Sequence, residues 1–423
     1  MKIKVKKSTV SGIISVPSSK SHTIRALAIA TAAEGRSLIY NPLISEDTMA
    51  GLNAAEMLGA KIIKTDGLWK IDGTGGNFQK KANLINMENS GTSLRIFSGL
   101  AATANFPVTF DGDSSLRSRP MKPLISALTK LGVNISSTDG RCPLTIAGPV
   151  QGGKTIVEGT SSQFLTALLI ALPLAKENSH VKVTGLNEIP YVEMTLNWLC
   201  REGIEIEYPE NMSYFKIKGN QTYPSFDVTI PADFSTAAFP LCAALLTRGS
   251  ITIRDLDFDD QQGDKAIFDF MKEMGAVITK KRGLTEVASE KKLTGKNFDL
   301  NATPDALPVM AVTGALTAGE TALLNCPQAR IKETDRIKCM SCELRKMGAE
   351  IEELDDGMII KSSTLQGAEV ESYGDHRIAM ALTIAGMCCS TGETIINDAE
   401  AASVTYPSFI KDFKNLGADI EVL

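Results

Sequence analysis

Lys130-Leu131-Gly132-Val133-Asn134-Ile135-Ser136 decides the fold, because five further copies of its plan stand along the chain. Met57-Leu58-Gly59-Ala60, Glu273-Met274-Gly275-Ala276, Lys346-Met347-Gly348-Ala349 and Asn415-Leu416-Gly417-Ala418 repeat it closely, and Gly203 marks the remaining copy. From Gly59 through Gly132, Gly203, Gly275, Gly348 and Gly417 the steps are 73, 71, 72, 73 and 69 residues. Glycine there suits a helix that ends on a left-handed residue before a strand begins. A regular period of this length sets the architecture before any motif is consulted.

Upstream of Gly132, Asn89-Ser90-Gly91-Thr92 reads as a helix cap, followed by an apolar helix from Ser93 to about Ala104. An extended segment (Phe106 to Phe110), a polar loop and a helix Met121–Leu131 come next. Downstream, Asp139-Gly140 joins two alternating runs, a hairpin signal that recurs at Asp66-Gly67 and Asp356-Gly357. Each unit therefore reads βαβαββ. The sixth is cut short after Gly417, and the alternating strand Lys2–Lys6 is expected to supply its missing partner by pairing with residues 418–423.

Six units divide into three per domain. The expected domains are 1–18 with 232–423, and 19–231, joined by a hinge near 17–20 and 230–233, with a ligand cleft between halves that closes on binding. At 423 residues and 43% hydrophobic, the chain can bury cores of that size. Its net charge of −5 argues against a general nucleic-acid binder. Eight scattered cysteines without ligand spacing fit a reducing cytoplasm, with neither a disulfide scaffold nor a zinc site. The alternating start Met1–Lys7 does not read as a signal peptide, and no apolar run is long enough to span a bilayer. A cytoplasmic location, with no membrane partner, is the expectation.

The chemistry is expected at the start of each unit's first helix. Ser21, Ser90, Ser162, Ser235, Asp305 and His376 occupy equivalent positions, spaced 69, 72, 73, 70 and 71 residues apart. Such residues cap helices as a matter of course. Their company is less ordinary: Lys20 and Arg25, Arg95, and Arg377 sit near helix N-termini, where a cation opposes the dipole. An anion shared between these cations and the free N–H groups of the helix ends would resolve that conflict, so a small polyanionic substrate is favoured. Asp233–Thr236 lacks a neighbouring cation and reads as hinge and cap.

A second constellation is Arg330-Ile331-Lys332-Glu333-Thr334-Asp335-Arg336. Thr334 is the expected N-cap of a helix whose buried stripe is Ile337, Met340, Leu344 and Met347. Glu333, flanked by cations, suits proton transfer or electrostatic work, although a salt-laced helix start is the plain alternative. Asp305 after Pro304 is a cap or a second carboxylate for the same chemistry. Arg117-Ser118-Arg119-Pro120 is a third basic feature, or a solvated loop. No phosphate-binding GxxxxGK[ST] loop, dinucleotide fingerprint or paired metal ligands occur, so neither a metal nor another cofactor is called for. His22 and His180 read as ordinary residues.

Taken in order, Pro17-Ser18-Ser19-Lys20-Ser21 with Arg25, Asn89–Thr92 with Arg95, Arg119-Pro120, Ser161-Ser162-Gln163, Pro190-Tyr191-Val192-Glu193, Pro304-Asp305-Ala306, Arg330–Arg336 and Asp375-His376-Arg377 resemble the 5-enolpyruvylshikimate-3-phosphate synthase family. The likeness runs from about residue 10 to the C-terminus. It implies an α/β fold of two domains with three βαβαββ repeats each, the inverse α/β barrel of enolpyruvyl transferases. The implied activity is transfer of the enolpyruvyl group of phosphoenolpyruvate to the 5-hydroxyl of shikimate 3-phosphate, by a monomer in the cytoplasm. By motif position, shikimate 3-phosphate is held by Lys20, Ser21, Arg25, Ser161, Ser162, Gln163, Tyr191, Asp305 and Lys332. Phosphoenolpyruvate is held by Lys20, Gly91, Arg119, Gln163, Arg336 and Arg377. Asp305 and Glu333 become the acid/base pair, with Lys20 assisting.

Three positions depart from the family pattern. Val404 stands where a lysine is often found, Gln328 where an asparagine is, and Glu188 where a serine contacts the substrate's phosphate. The related transferase acting on UDP-N-acetylglucosamine is the nearest alternative, but it typically carries a cysteine in the loop matching Asp111–Pro120, which has none here. A non-catalytic anion-binding repeat protein is the other. It would have no need of carboxylates beside the cations.

Overall fold

A computed structural model describes residues 1–289 and 291–423. Among the described residues the strands form six four-stranded sheets. The chain divides into two units, 1–17 with 231–423, and 18–230. No helix among the described residues is long and apolar enough to cross a membrane.

The third repeat shows the common plan. Strand Gly153–Glu158 runs parallel to Ser179–Thr184, and helix Ser162–Ala171 provides the crossover that a parallel pair requires. Helix Ile189–Arg201 follows and stops before Gly203. Strand Tyr214–Ile217 then returns antiparallel on Ser179–Thr184, with Ile206–Glu207 at the edge. All six helix-ending glycines have φ between +75° and +113°, the left-handed region that a Cβ disfavours.

The two helices of each repeat differ because their surroundings do. The first helices are Lys20–Ala32, Gly91–Ala101 and Ser162–Ala171 in one unit, and Phe234–Leu246, Leu307–Leu316 and His376–Met387 in the other. They are buried on nearly all sides, which suits their apolar and small residues, and the charged residues they bury stand near their N-terminal ends. At Gly99 an added Cβ would lie 2.5 Å from the Ala167 carbonyl oxygen, so two of these helices touch backbone to backbone. The second helices bury one stripe: Leu124, Ala127 and Leu128 in Lys122–Lys130, and Ile337, Met340 and Leu344 in Arg336–Lys346. Each unit thereby closes its own apolar core.

Strand Ile3–Lys6 fills the truncated sixth sheet, with Val5 opposite Ile420 on one side and Thr394 on the other. A second exchange has no signature in the sequence pattern. Gly12–Ser15, which leads into the first repeat, pairs with Ser250–Arg254 of the fourth. Asp227–Thr229, which leads into the fourth repeat, pairs with Arg36–Tyr40 of the first. Each strand stays in the sheet of the unit that the chain is about to leave.

Candidate active site

In the unit 18–230, three first helices present their N-terminal turns. Ser19 caps Lys20–Ala32, and the Lys20 ammonium meets the Asp47 carboxylate at 2.9 Å, both largely buried. Ser93 Oγ donates to the Asp47 carbonyl at 3.0 Å and so links the first and second repeats. Arg25, 1% exposed, runs beneath this turn. It donates to Thr195 Oγ1 and the Tyr191 carbonyl at 2.9 Å, and to the Ser21 carbonyl at 3.0 Å. Burial pulls its pKa down to about 10, partly opposed by Tyr191 and Glu188.

The second helix start gathers three of the residues expected around phosphoenolpyruvate, Gly91, Arg119 and Gln163. Ser90 is the N-cap and the helix begins at Gly91, two residues earlier than the pattern implied. A Cβ on Gly91 would lie 2.8 Å from an Arg119 guanidinium nitrogen and 3.2 Å from one of Arg95. Arg119 is 5% exposed and donates to Asn89 Oδ1 and Ser115 Oγ. Its neighbour Arg117 instead pairs with Asp111 at the surface, so the basic loop splits into one inward and one outward arginine. Gln163 bridges helices, accepting from Arg95 at 2.6 Å and donating to Thr92 Oγ1 at 3.0 Å.

At the third helix start, Ser161 is the cap and Ser162 is occupied. Glu188 Oε2 accepts from the Ser162 hydroxyl at 2.7 Å and from its backbone N–H at 3.1 Å. His22 accepts from Trp198 Nε1 at 2.9 Å and belongs to the packing.

In the other unit, Arg336 organises the cluster. Its guanidinium, 1% exposed, reaches Asp305 at 2.8 Å, Glu333 at 2.7 Å and Asp375 at 2.8 Å. Arg377 pairs with the other Asp305 oxygen at 2.9 Å, and the Lys332 ammonium stands 3.8 Å from Asp305. Asp375, 0% exposed, also caps His376–Met387 by accepting from the Arg377 N–H. Burial works to raise the Asp305 and Asp375 carboxyls, but neighbouring cations outweigh it. Arg377, Lys332 and Arg336 hold Asp305 far below the usual carboxylate range, and Arg336 lowers Asp375.

One expectation needs correction here. Thr334 is not the cap of Arg336–Lys346: Asp335 accepts from the Lys338 N–H, and Thr334 turns its hydroxyl to Asp375. A carboxylate caps better in a segment whose hydroxyl has another buried acceptor. Arg330 belongs to structure, since it ties Asp335 and Glu353 to the end of a hairpin. Asp47 belongs to no motif of the sequence and Asp375 enters only within Asp375-His376-Arg377, yet both are central, because their partners lie in other elements. Gln328 is buried and holds the Asn301 carbonyl at 2.9 Å.

With this geometry in place, comparison with known proteins is direct. Residues 5–413 match the family model for EPSP synthase (3-phosphoshikimate 1-carboxyvinyltransferase). The chain belongs to the EPSP synthase family. It is 46% identical over 422 residues to a 3-phosphoshikimate 1-carboxyvinyltransferase of Acetivibrio thermocellus, covering 99% of both chains. It is 44% identical over 425 residues to one of Ruminiclostridium cellulolyticum, covering 100% of both. A solved EPSP synthase from Acinetobacter baumannii superposes with a TM-score of 0.83 at 25% identity over the full length of both chains. The two-domain α/β transferase fold inferred from the repeats is thereby the family fold.

Proposed function

We infer that the chain transfers the enolpyruvyl group of phosphoenolpyruvate to the 5-hydroxyl of shikimate 3-phosphate, releasing phosphate, in aromatic amino-acid biosynthesis. The observation that carries this is the full-length family match, and the buried carboxylate–cation cluster of one unit and the anion-directed helix starts of the other are what such a reaction uses. The 5-hydroxyl adds to C2 of phosphoenolpyruvate while C3 takes a proton. The tetrahedral intermediate then loses phosphate and returns the C3 proton, so two protons need two stations.

Asp305 and Glu333 are assigned as those stations, with Lys20 assisting. Asp305 so strongly stabilised as an anion is a poor base. Substrate carboxylate and phosphate drawing on Arg336 and Arg377 would release that hold and raise its basicity. Lys20, Gly91, Arg119, Gln163, Arg336 and Arg377 take phosphoenolpyruvate in this reading. Lys20, Ser21, Arg25, Ser161, Ser162, Gln163, Tyr191, Asp305 and Lys332 take shikimate 3-phosphate. Arg25 acts there partly through Ser21 and Tyr191, whose carbonyls it holds. The same reading makes the enzyme a monomer of the cytoplasm.

The test is phosphate release by the purified protein with both substrates, and with either alone. Release with both only is expected, and Asp305→Ala or Glu333→Ala should lower turnover about 100-fold or more with substrate dissociation constants moved far less. Absence of release, or release with UDP-N-acetylglucosamine in place of shikimate 3-phosphate, would overturn the assignment.

A further inference from the structure

Ser162 has one hydroxyl proton and one backbone N–H, and Glu188 receives both. The carboxylate is 1% exposed, sits on the first turn of helix Ser162–Ala171, and contributes to the field at the buried Arg25 guanidinium. A helix N-terminus beside an arginine is where an anion is stabilised, and the chain supplies that anion from its own sequence. We propose that Glu188 is a displaceable internal anion, which shikimate 3-phosphate must move off Ser162 before its phosphate can use that donor set.

The proposal rests on the reading that Ser162 binds the substrate's phosphate. A phosphate oxygen cannot take either Ser162 proton while Glu188 holds them. Nor can the two anions share the turn, since like charges a few ångströms apart in a buried setting repel strongly. Glu188 is also held at φ 57°, ψ 42°, a left-handed conformation uncommon for a residue with a Cβ. Its side chain has rotatable bonds enough to swing the carboxylate away without moving that backbone.

The repeats supply an internal comparison. Counted from the helix-start residues Ser21, Ser162, Ser235 and Asp305, the acidic residues Asp47, Glu188, Asp264 and Glu333 follow at 26, 26, 29 and 28 positions. The segment around the start of the second helix thus brings a carboxylate to the start of the first in three of these four repeats, Glu333 being the exception. Asp47 neutralises Lys20, Glu333 pairs with Arg336, and Asp264 accepts from the Ser235 hydroxyl. In the fourth repeat that pair lies on a serine to which no substrate is assigned. In the third it sits on a serine assigned to substrate, so the same contact becomes a competition.

Glu188→Gln keeps the size and an acceptor for Ser162 but removes the charge, and Glu188→Ser removes the competitor altogether. Titration calorimetry of the full chain with shikimate 3-phosphate and with inorganic phosphate, alongside steady-state kinetics, tests the idea. Both variants should bind shikimate 3-phosphate about tenfold more tightly, and inorganic phosphate measurably more tightly. KM for shikimate 3-phosphate should fall with the dissociation constant, while KM for phosphoenolpyruvate stays within about twofold. Ser162→Ala reports on the premise and should weaken shikimate 3-phosphate binding. If Ser162→Ala weakens binding but neither Glu188 variant tightens it, displacement is wrong and the site reading stands. If Ser162→Ala leaves binding unchanged, the proposal falls with its premise.

Discussion

Arg336 and Asp375 show how much a single buried ion pair decides at the level of residues. The guanidinium faces Asp305, Glu333 and Asp375, so removing the deepest carboxylate leaves a cation with too little compensation in a dry site. Asp375→Asn should therefore cost roughly 3–5 kcal/mol of stability at neutral pH. The sign of its pH dependence follows from the lowered Asp375 pKa. A carboxyl whose folded pKa lies below its ordinary 3.8 contributes stability above that value, and loses it as pH falls through the folded pKa. Urea denaturation of both proteins from pH 7 downward should show a gap that is constant at neutral pH and narrows once pH drops below about 4. A gap that stays constant into the acid range would show that Asp375 acts by packing and not by charge.

Among the elements, those whose boundaries carry local chemistry were legible in the sequence. The helix-ending glycines, the Asp-Gly hairpins and the buried stripe of Arg336–Lys346 all stand where the period put them. The motif residues Asp305, Lys332, Glu333, Arg336 and Arg377 come together as neighbours. What periodicity does not contain is partner choice between distant elements. Asp375 reaching back 39 residues to Arg336 depends on how helices pack and has no spacing signal, and the 26-residue reach of Glu188 to Ser162 shows as a spacing only once the contacts of the other repeats are known. Helix packing has its own constraint at Gly99, where the obstacle is the Ala167 carbonyl and no rotamer change can relieve it. Gly99→Ala should force two buried helices apart and cost about 1–3 kcal/mol, read as a lower urea midpoint. An unchanged midpoint would mean that the contact between Gly91–Ala101 and Ser162–Ala171 is slack.

For the whole molecule, the exchanged strands determine which part of the chain is self-sufficient. Residues 18–230 are one continuous segment, and Asp227–Thr229 at its end completes the sheet begun by Arg36–Tyr40. Among the described residues, its three sheets and its apolar core draw on none outside those limits. The other unit is discontinuous: Ile3–Lys6 is an interior strand between Thr394–Asn397 and Asp419–Val422, and Gly12–Ser15 pairs with Ser250–Arg254. Ile3, Val5, Val10 and Ile14 also belong to that unit's core. Cutting residues 1–17 away would leave two sheets with unpaired backbone groups and an open apolar edge, a defect no single side chain repairs. The two segments should therefore behave differently when produced separately. Residues 18–230 should unfold in one cooperative transition in urea. Residues 231–423 should be unfolded or aggregated alone, and should gain a cooperative transition when a peptide of residues 1–17 is added. Cooperative folding of 231–423 without the peptide would show that the N-terminal strands decorate that unit and do not complete it.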